Sequence, residues 1–230
     1  LGLDAWGHRL WTVPPNSQGY LTLAAAWIAE GLDLPDDTTD PQWAHLMIEA
    51  AVAAGFDRPA SLFEGADGRA LIDPSRLLPR REAIDPERAS SRWMPTAAGD
   101  TTYLCTIDHN RMGVSLIQSN AANFGSHLVE QSTGINLHNR GLGFNLTAGH
   151  PAELAAGRRP PHTLCPAMIT KPDGALVSTI GTMGGDAQPQ ILLQAITRLL
   201  RHGQSPAQAI GSGRWALAGP ETGFDTWTAP

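Results

Sequence analysis

Cysteine is nearly absent: the 230 residues hold two, Cys105 and Cys165. Both lie inside apolar runs, so they read as buried free thiols, and neither falls in a His/Cys spacing that would hold a metal. Runs of basic residues with interleaved aromatics are missing too, and together with a formal charge of −6 this argues against a nucleic-acid partner. No apolar stretch is long enough to cross a bilayer, and no basic segment followed by a short apolar core stands at the start. What is present is ordinary globular material: 42% hydrophobic residues, enough for the core of one large domain or two small ones.

The charge is unevenly spread. Residues 1–100 carry 8 Lys and Arg against 15 Asp and Glu, a balance of −7, whereas residues 101–230 carry 8 against 7, a balance of +1. An anionic ligand is better received by the second part. The pattern changes at the same point, from helical spacing before Gly99-Asp100-Thr101-Thr102-Tyr103 to short alternating segments after it.

In the first part, Leu10-Trp11-Thr12-Val13 alternates like a strand and runs into a turn at Pro14-Pro15-Asn16-Ser17-Gln18-Gly19. Apolar residues at helical spacing predict a helix from Tyr20 to its stop at Gly31, and a second from Pro41 to Gly55, capped by Thr39 or Asp40. Residues 57–98, broken by Pro59, Pro74, Pro79, Pro86 and Pro95, read as an extended surface segment, with Arg80-Arg81 and Arg88 as a solvated charge run.

In the second part, residues 101–107 and 113–119 predict a hairpin around Asp108-His109-Asn110-Arg111, which returns Ser119 beside Thr101. Ile135-Asn136-Leu137 reads as a short strand and residues 141–160 as a long Gly- and Pro-rich loop. A second hairpin folds around Pro172-Asp173-Gly174, and after Gly184-Gly185 an amphipathic helix is followed by a short one opened by Ser205-Pro206.

Five blocks carry a resemblance: Gly99-Asp100-Thr101-Thr102-Tyr103, Asn123-Phe124-Gly125-Ser126, Gly134-Ile135-Asn136-Leu137-His138-Asn139-Arg140-Gly141, Gly157-Arg158-Arg159-Pro160 and Gly181-Thr182-Met183-Gly184-Gly185. In this order and spacing they resemble the gamma-glutamyltransferase family of N-terminal-nucleophile hydrolases, over nearly the whole chain. The resemblance implies an α+β fold, a four-layer αββα sandwich, of which this chain is expected to be a part. Residues 1–100 would be the C-terminal part of a large subunit, helical and then extended. Residues 101–230 would be the catalytic, β-rich small subunit, released when a precursor cuts itself between Asp100 and Thr101. The partners implied are a small gamma-glutamyl or related acyl amide and the remaining large-subunit polypeptide. No cofactor, metal, nucleic acid or membrane is implied, and a homo-oligomer and the compartment stay open.

The chemistry behind that expectation is specific. A threonine hydroxyl needs a base within hydrogen-bond reach, and a freed α-amine on the same residue, with a reference pKa of about 7.7–8.0, supplies one. The resemblance gives Thr101 the role of nucleophile, Ser119 that of its hydroxyl partner, and Gly184 and Gly185 the backbone N–H groups of an oxyanion hole. Losing one such donor typically costs about 2.7–4 kcal/mol of transition-state stabilisation. The acyl-binding positions depart from the family: Ala121 replaces an Asn, Arg140 a Gln, Gly143 the Asp that receives the glutamyl ammonium, and His162-Thr163 a serine pair. A carboxylate-binding arginine of the family falls before Leu1. These changes suit an acyl group with a carboxylate and no ammonium, such as glutaryl, and on this reading an Asp at position 143 would restore glutamyl preference. The expected function is an autoprocessed threonine amidohydrolase or acyltransferase; the alternative is an unprocessed, inactive member serving as a binding or structural subunit.

Overall fold

The computed structural model describes residues 1–90 and 101–217. Gly99 and Asp100, and with them the bond expected to be cut, lie outside these residues, as does Pro95. The chain opens with β1 (Gly2–Ala5) and β2 (His8–Thr12), a hairpin closed by Trp6 and Gly7. Both turn residues have positive φ, the twist that suits a two-residue loop. Strand β2 pairs antiparallel with β5 (Ala167–Thr170), and β5 with β6 (Leu176–Ile180), giving a sheet ordered β1-β2-β5-β6.

One face of that sheet is apolar because alternate residues Leu3, Ala5, Leu10 and Ile169 point the same way. Against it lies α1 (Tyr20–Glu30), buried along almost its whole length, and around α1 pack α2 (Pro41–Gly55), α5 (Pro74–Glu82) and α6 (Gln188–Leu200). Fully burying one such aliphatic side chain contributes roughly 1.5–3 kcal/mol. Helix α2 begins where Asp40 accepts the Gln42 N–H at 2.8 Å with Pro41 in the first turn, and Gly31 ends α1. In the core, Trp43 donates from Nε1 to His202 Nε2 at 3.0 Å while the Arg198 guanidinium lies 4.6 Å from its ring centroid.

Strands β3 (Thr102–Ile107) and β4 (Gly113–Gln118) form a separate hairpin that packs against the edge strand β6. Gly113 has no Cβ because one would meet Leu176 Cδ2 at 2.6 Å. A short helix, α7 (Pro206–Gly211), opens with a capping box between Ser205 and Gln208. Residues 215–217 are strapped onto α6: Trp215 and Leu217 N–H groups donate to Gln194 Oε1 and Gln190 Oε1, four residues apart on one helix face. The architecture is the expected α+β class: a helical layer, a four-stranded sheet and a second, two-stranded sheet.

Four expectations are corrected. Among the described part of residues 57–98 there are three helices, α3 (Arg58–Ser61), α4 (Gly68–Leu71) and α5, instead of an extended run. Pro59 and Pro74 sit in first turns, where a missing N–H costs nothing, and Asp67 and Asp73 cap their helices. Arg80 and Arg81 are not solvated: Arg80 pairs with Asp57 at 2.6 Å and lies over Phe56, and Arg81 lies over Trp27. Residues 135–137 form an isolated bridge at Asn136 instead of a strand. Cys165 is buried and burial pushes its thiol pKa up, but Cys105 is exposed, because β3 is covered only in part.

Candidate active site

The β3–β4 register pairs Thr102 with Gln118, so one further step brings Thr101 opposite Ser119. Thr101 is 6% exposed, at the head of β3. The hairpin is fixed beside it: Tyr103 Oη and Ser115 Oγ are 2.9 Å apart, and the Tyr103 ring lies where a Cβ on Gly181 would be, 2.2 Å away. Gly181 can only be glycine in this packing, and it ties the head of β3 to the Gly184-Gly185 turn. After Ser119 the chain reverses through Ala121 and Asn123, both at positive φ, with Ser119 Oγ accepting from the Ala121 N–H at 3.0 Å. Asn139 braces that reversal, its amide bonded to the backbone of Ala122 and Gly125.

The opposite wall comes from two segments 145 residues or so apart in sequence, stitched side by side. Gln18 N–H donates to the His162 carbonyl at 3.0 Å, and His162 N–H to the Asn16 carbonyl at 2.9 Å. Ser17 Oγ donates to the Leu164 carbonyl and Asn16 Nδ2 to the Pro160 carbonyl. Between the walls lies a cleft of about 430 Å³, whose lining includes Ser119, Ala121, Arg140, Arg158, Arg159, His162 and Thr163. Among the described residues that line it, three are arginines and two are histidines, and none is acidic, while Glu64 holds Arg159 from outside at 2.6 Å. Thr101, Gly184 and Gly185 are not among the lining residues, and Gly143 borders a neighbouring cleft of about 300 Å³ together with Arg58, Arg140 and Asp186.

Burial, reinforced by Arg140 and Arg159, pushes the His162 pKa down from 6.5 to about 4. Its Nδ1 accepts the Leu164 N–H at 3.2 Å, so the neutral ring carries its proton on Nε2. Arg140 is half-buried and its Nε has no hydrogen-bond partner among the described residues; desolvation pushes its pKa below the usual arginine value, Asp186 opposes that and Arg58 adds to it. A Cβ on Gly143 would lie 2.4 Å from the Pro161 carbonyl oxygen and 3.4 Å from Arg140 Nη2. Position 143 therefore has no room for an Asp unless the Pro161 backbone shifts, whereas Arg140 would only come into ordinary contact with it.

Gly184 and Gly185 form a turn at φ +123° and +55°, conformations that favour glycine, and lead into α6 through one 3-10 turn. Their carbonyls are engaged: Ala187 N–H donates to Gly184 O at 3.0 Å, and buried Gln18 Nε2 bridges Gly185 O and Thr163 O at 3.0 and 3.1 Å. Asn16 and Gln18 join the site from the turn at residues 14–19, and Arg158 and Arg159 from one of the five resemblance blocks, though none of the four was given a role in the sequence; the pair Arg58–Asp186 was not singled out at all.

Comparison with known proteins gives the family and the fold. The gamma-glutamyltranspeptidase family model matches residues 2–222. An oxamate amidohydrolase proenzyme of Klebsiella pneumoniae is 36% identical over 212 residues, covering 90% of this chain and 40% of the relative. A glutathione hydrolase-like proenzyme of Bacillus subtilis is 37% identical over 218 residues, covering 92% and 41%. The crystal structure of a cephalosporin acylase from Bacillus halodurans superposes with a TM-score of 0.84 at 32% identity, covering 95% of this chain and 40% of that one. The chain thus spans about 40% of the length of these relatives. The shared fold is that of the N-terminal-nucleophile hydrolases, and the chain belongs to the gamma-glutamyltranspeptidase family.

Proposed function

We propose that the full-length protein is an autoprocessed amidohydrolase with Thr101 as nucleophile, acting on amides whose acyl group carries a carboxylate and no ammonium. The observation that carries this reading is the cleft in which Arg140, Arg158, Arg159 and neutral His162 surround Ser119, itself set across from Thr101 by the strand register, with no acidic side chain among the described lining residues. The Thr101 hydroxyl attacks the Asp100 carbonyl carbon, the amide nitrogen leaves to become the free α-amine, and water hydrolyses the resulting ester. In turnover that amine takes the hydroxyl proton as oxygen attacks the substrate amide carbonyl, and returns it to the departing amine. Water, or an amine acceptor if the enzyme acts as an acyltransferase, releases the acyl group. Gly184 and Gly185 N–H groups stabilise the oxyanion of each step.

A glutamyl ammonium finds no carboxylate among the described lining residues of this cleft and meets Arg140 instead, which costs the bound state one unpaired like-charge contact. Oxamate, named for the Klebsiella relative, has the favoured chemistry: an amide, a carboxylate and no ammonium. The remaining large-subunit polypeptide is the expected partner of residues 1–230. Leu104, Val114 and Leu116 on one face of the β3–β4 hairpin, 42–50% exposed, offer it an apolar surface.

Electrophoresis of the full-length protein tests the reading. Two bands split at Thr101 are expected for the wild type and one uncut band for Thr101→Ala, with turnover lost in the latter. Normal maturation of Thr101→Ala would overturn it. An uncut, inactive wild type would leave the binding or structural subunit.

A further inference from the structure

Immediately after the glycine pair comes Asp186, 8% exposed, and its carboxylate is held by Arg58 Nη2 at 2.7 Å. The two residues are 128 positions apart, and their side chains are 16% and 11% exposed. Arg58 is itself well anchored, because the preceding residue, Asp57, is gripped by Arg76 at 2.9 Å and Arg80 at 2.6 Å. Arg140 borders the same cleft as Arg58 and Asp186, close enough to Asp186 to interact with it electrostatically. A carboxylate this near the proposed oxyanion donors is a hazard: without a counter-charge it opposes the negative charge that develops there.

We propose that Arg58 is a positioning residue for the Gly184-Gly185 oxyanion turn, acting through Asp186. It neutralises that carboxylate and fixes the turn from behind, while Gln18 holds it from the side through the Gly185 carbonyl. The inference rests on the proposed role of Gly184 and Gly185 and adds a residue that touches neither substrate nor nucleophile. The energetic logic is that of a buried pair: removing one partner leaves an uncompensated charge, whereas removing both leaves none.

The test is steady-state kinetics of the full-length protein on an amide that the wild type hydrolyses, for Arg58→Met, Asp186→Asn and the double variant, with thermal midpoints measured alongside. Arg58→Met is expected to lower kcat by about 10- to 100-fold with KM within about twofold, the pattern of a lost transition-state interaction. Adding Asp186→Asn to it should recover most of that loss. If Arg58→Met does not fold, Arg58→Gln is measured in its place with the same expectation. Unchanged kcat in a folded Arg58 variant, a rise in KM alone, or a kcat loss that the double variant does not relieve would each overturn the inference while leaving the proposed nucleophile intact. Failure of the wild type to hydrolyse any amide tried would remove the reading of the site and this inference with it.

Discussion

Gly143 lies against the Pro161 backbone: a Cβ on Gly143 would approach the Pro161 carbonyl oxygen to 2.4 Å, while Arg140 Nη2 would stand at an ordinary 3.4 Å. Gly143→Asp should therefore displace the 140–143 turn or the Pro161 backbone instead of creating an ammonium site. Kinetics on glutaryl and gamma-glutamyl anilides should show kcat/KM falling for both. A gain on the glutamyl compound would mean that the turn yields at little cost.

Arg140 itself should set the preference. The unmodified enzyme should turn over glutaryl anilides faster than gamma-glutamyl anilides, by roughly ten- to a hundredfold in kcat/KM, which is about 1.4–2.8 kcal/mol. Arg140→Gln should narrow that ratio, chiefly by slowing the glutaryl reaction. Equal turnover of both compounds by the unmodified enzyme contradicts the proposed acyl class.

His162 predicts an acid-side loss of stability. Its pKa is 6.5 when unfolded and about 4 when folded, so between these values the unfolded chain binds a proton that the native state refuses. Stability is full above pH 6.5 and falls as pH drops toward 4, by about 1–3 kcal/mol once its partial solvation is allowed for. His202, also pushed down by burial, adds in the same direction. Chemical denaturation at a series of pH values should show the slope, and His162→Gln should flatten part of it.

Gly184 at φ +123° should not tolerate a side chain. Gly184→Ala is expected to cost about 1–3 kcal/mol of stability and a larger share of kcat, since the strain falls on the proposed oxyanion turn. Gly149→Ala, also at positive φ but with open space around it, serves as the control: a stability loss without a kcat loss.

What the sequence made legible was mostly local. The turn signals around residues 108–111 and 172–174 mark hairpins because each turn is specified by its own few residues, and Asp40-Pro41 marks a helix start for the same reason. Pro59 and Pro74 misled because Pro breaks a helix interior yet suits a first turn, and at Pro74 the preceding Asp73 supplies the cap; Pro79 was no break either, since it stands within α5. Arg80 and Arg81 look like solvated charges until Phe56, Asp57 and Trp27 are brought to them. Nothing near Asp186 in sequence announces Arg58, and nothing near Gly185 announces Gln18, since both links are made only by the packing of distant segments.

The sheet order β1-β2-β5-β6 has a consequence for a chain that is cut before Thr101. Two of its strands precede the break and two follow it, so the β2–β5 ladder, from Arg9 opposite Thr170 to Thr12 opposite Ala167, would become a seam between two polypeptides. Helix α6 would likewise bury its face on α1 and α2 of the other piece. Maturation would then sever covalent continuity while leaving every contact in register, and what had been a self-contained folding problem would become one of reassociation. The uncut chain finds its partner strand at the high local concentration set by its own tether. The mature pair, once unfolded, would have to meet by diffusion, so the native arrangement would be inherited from the precursor and kept by the slowness of its loss.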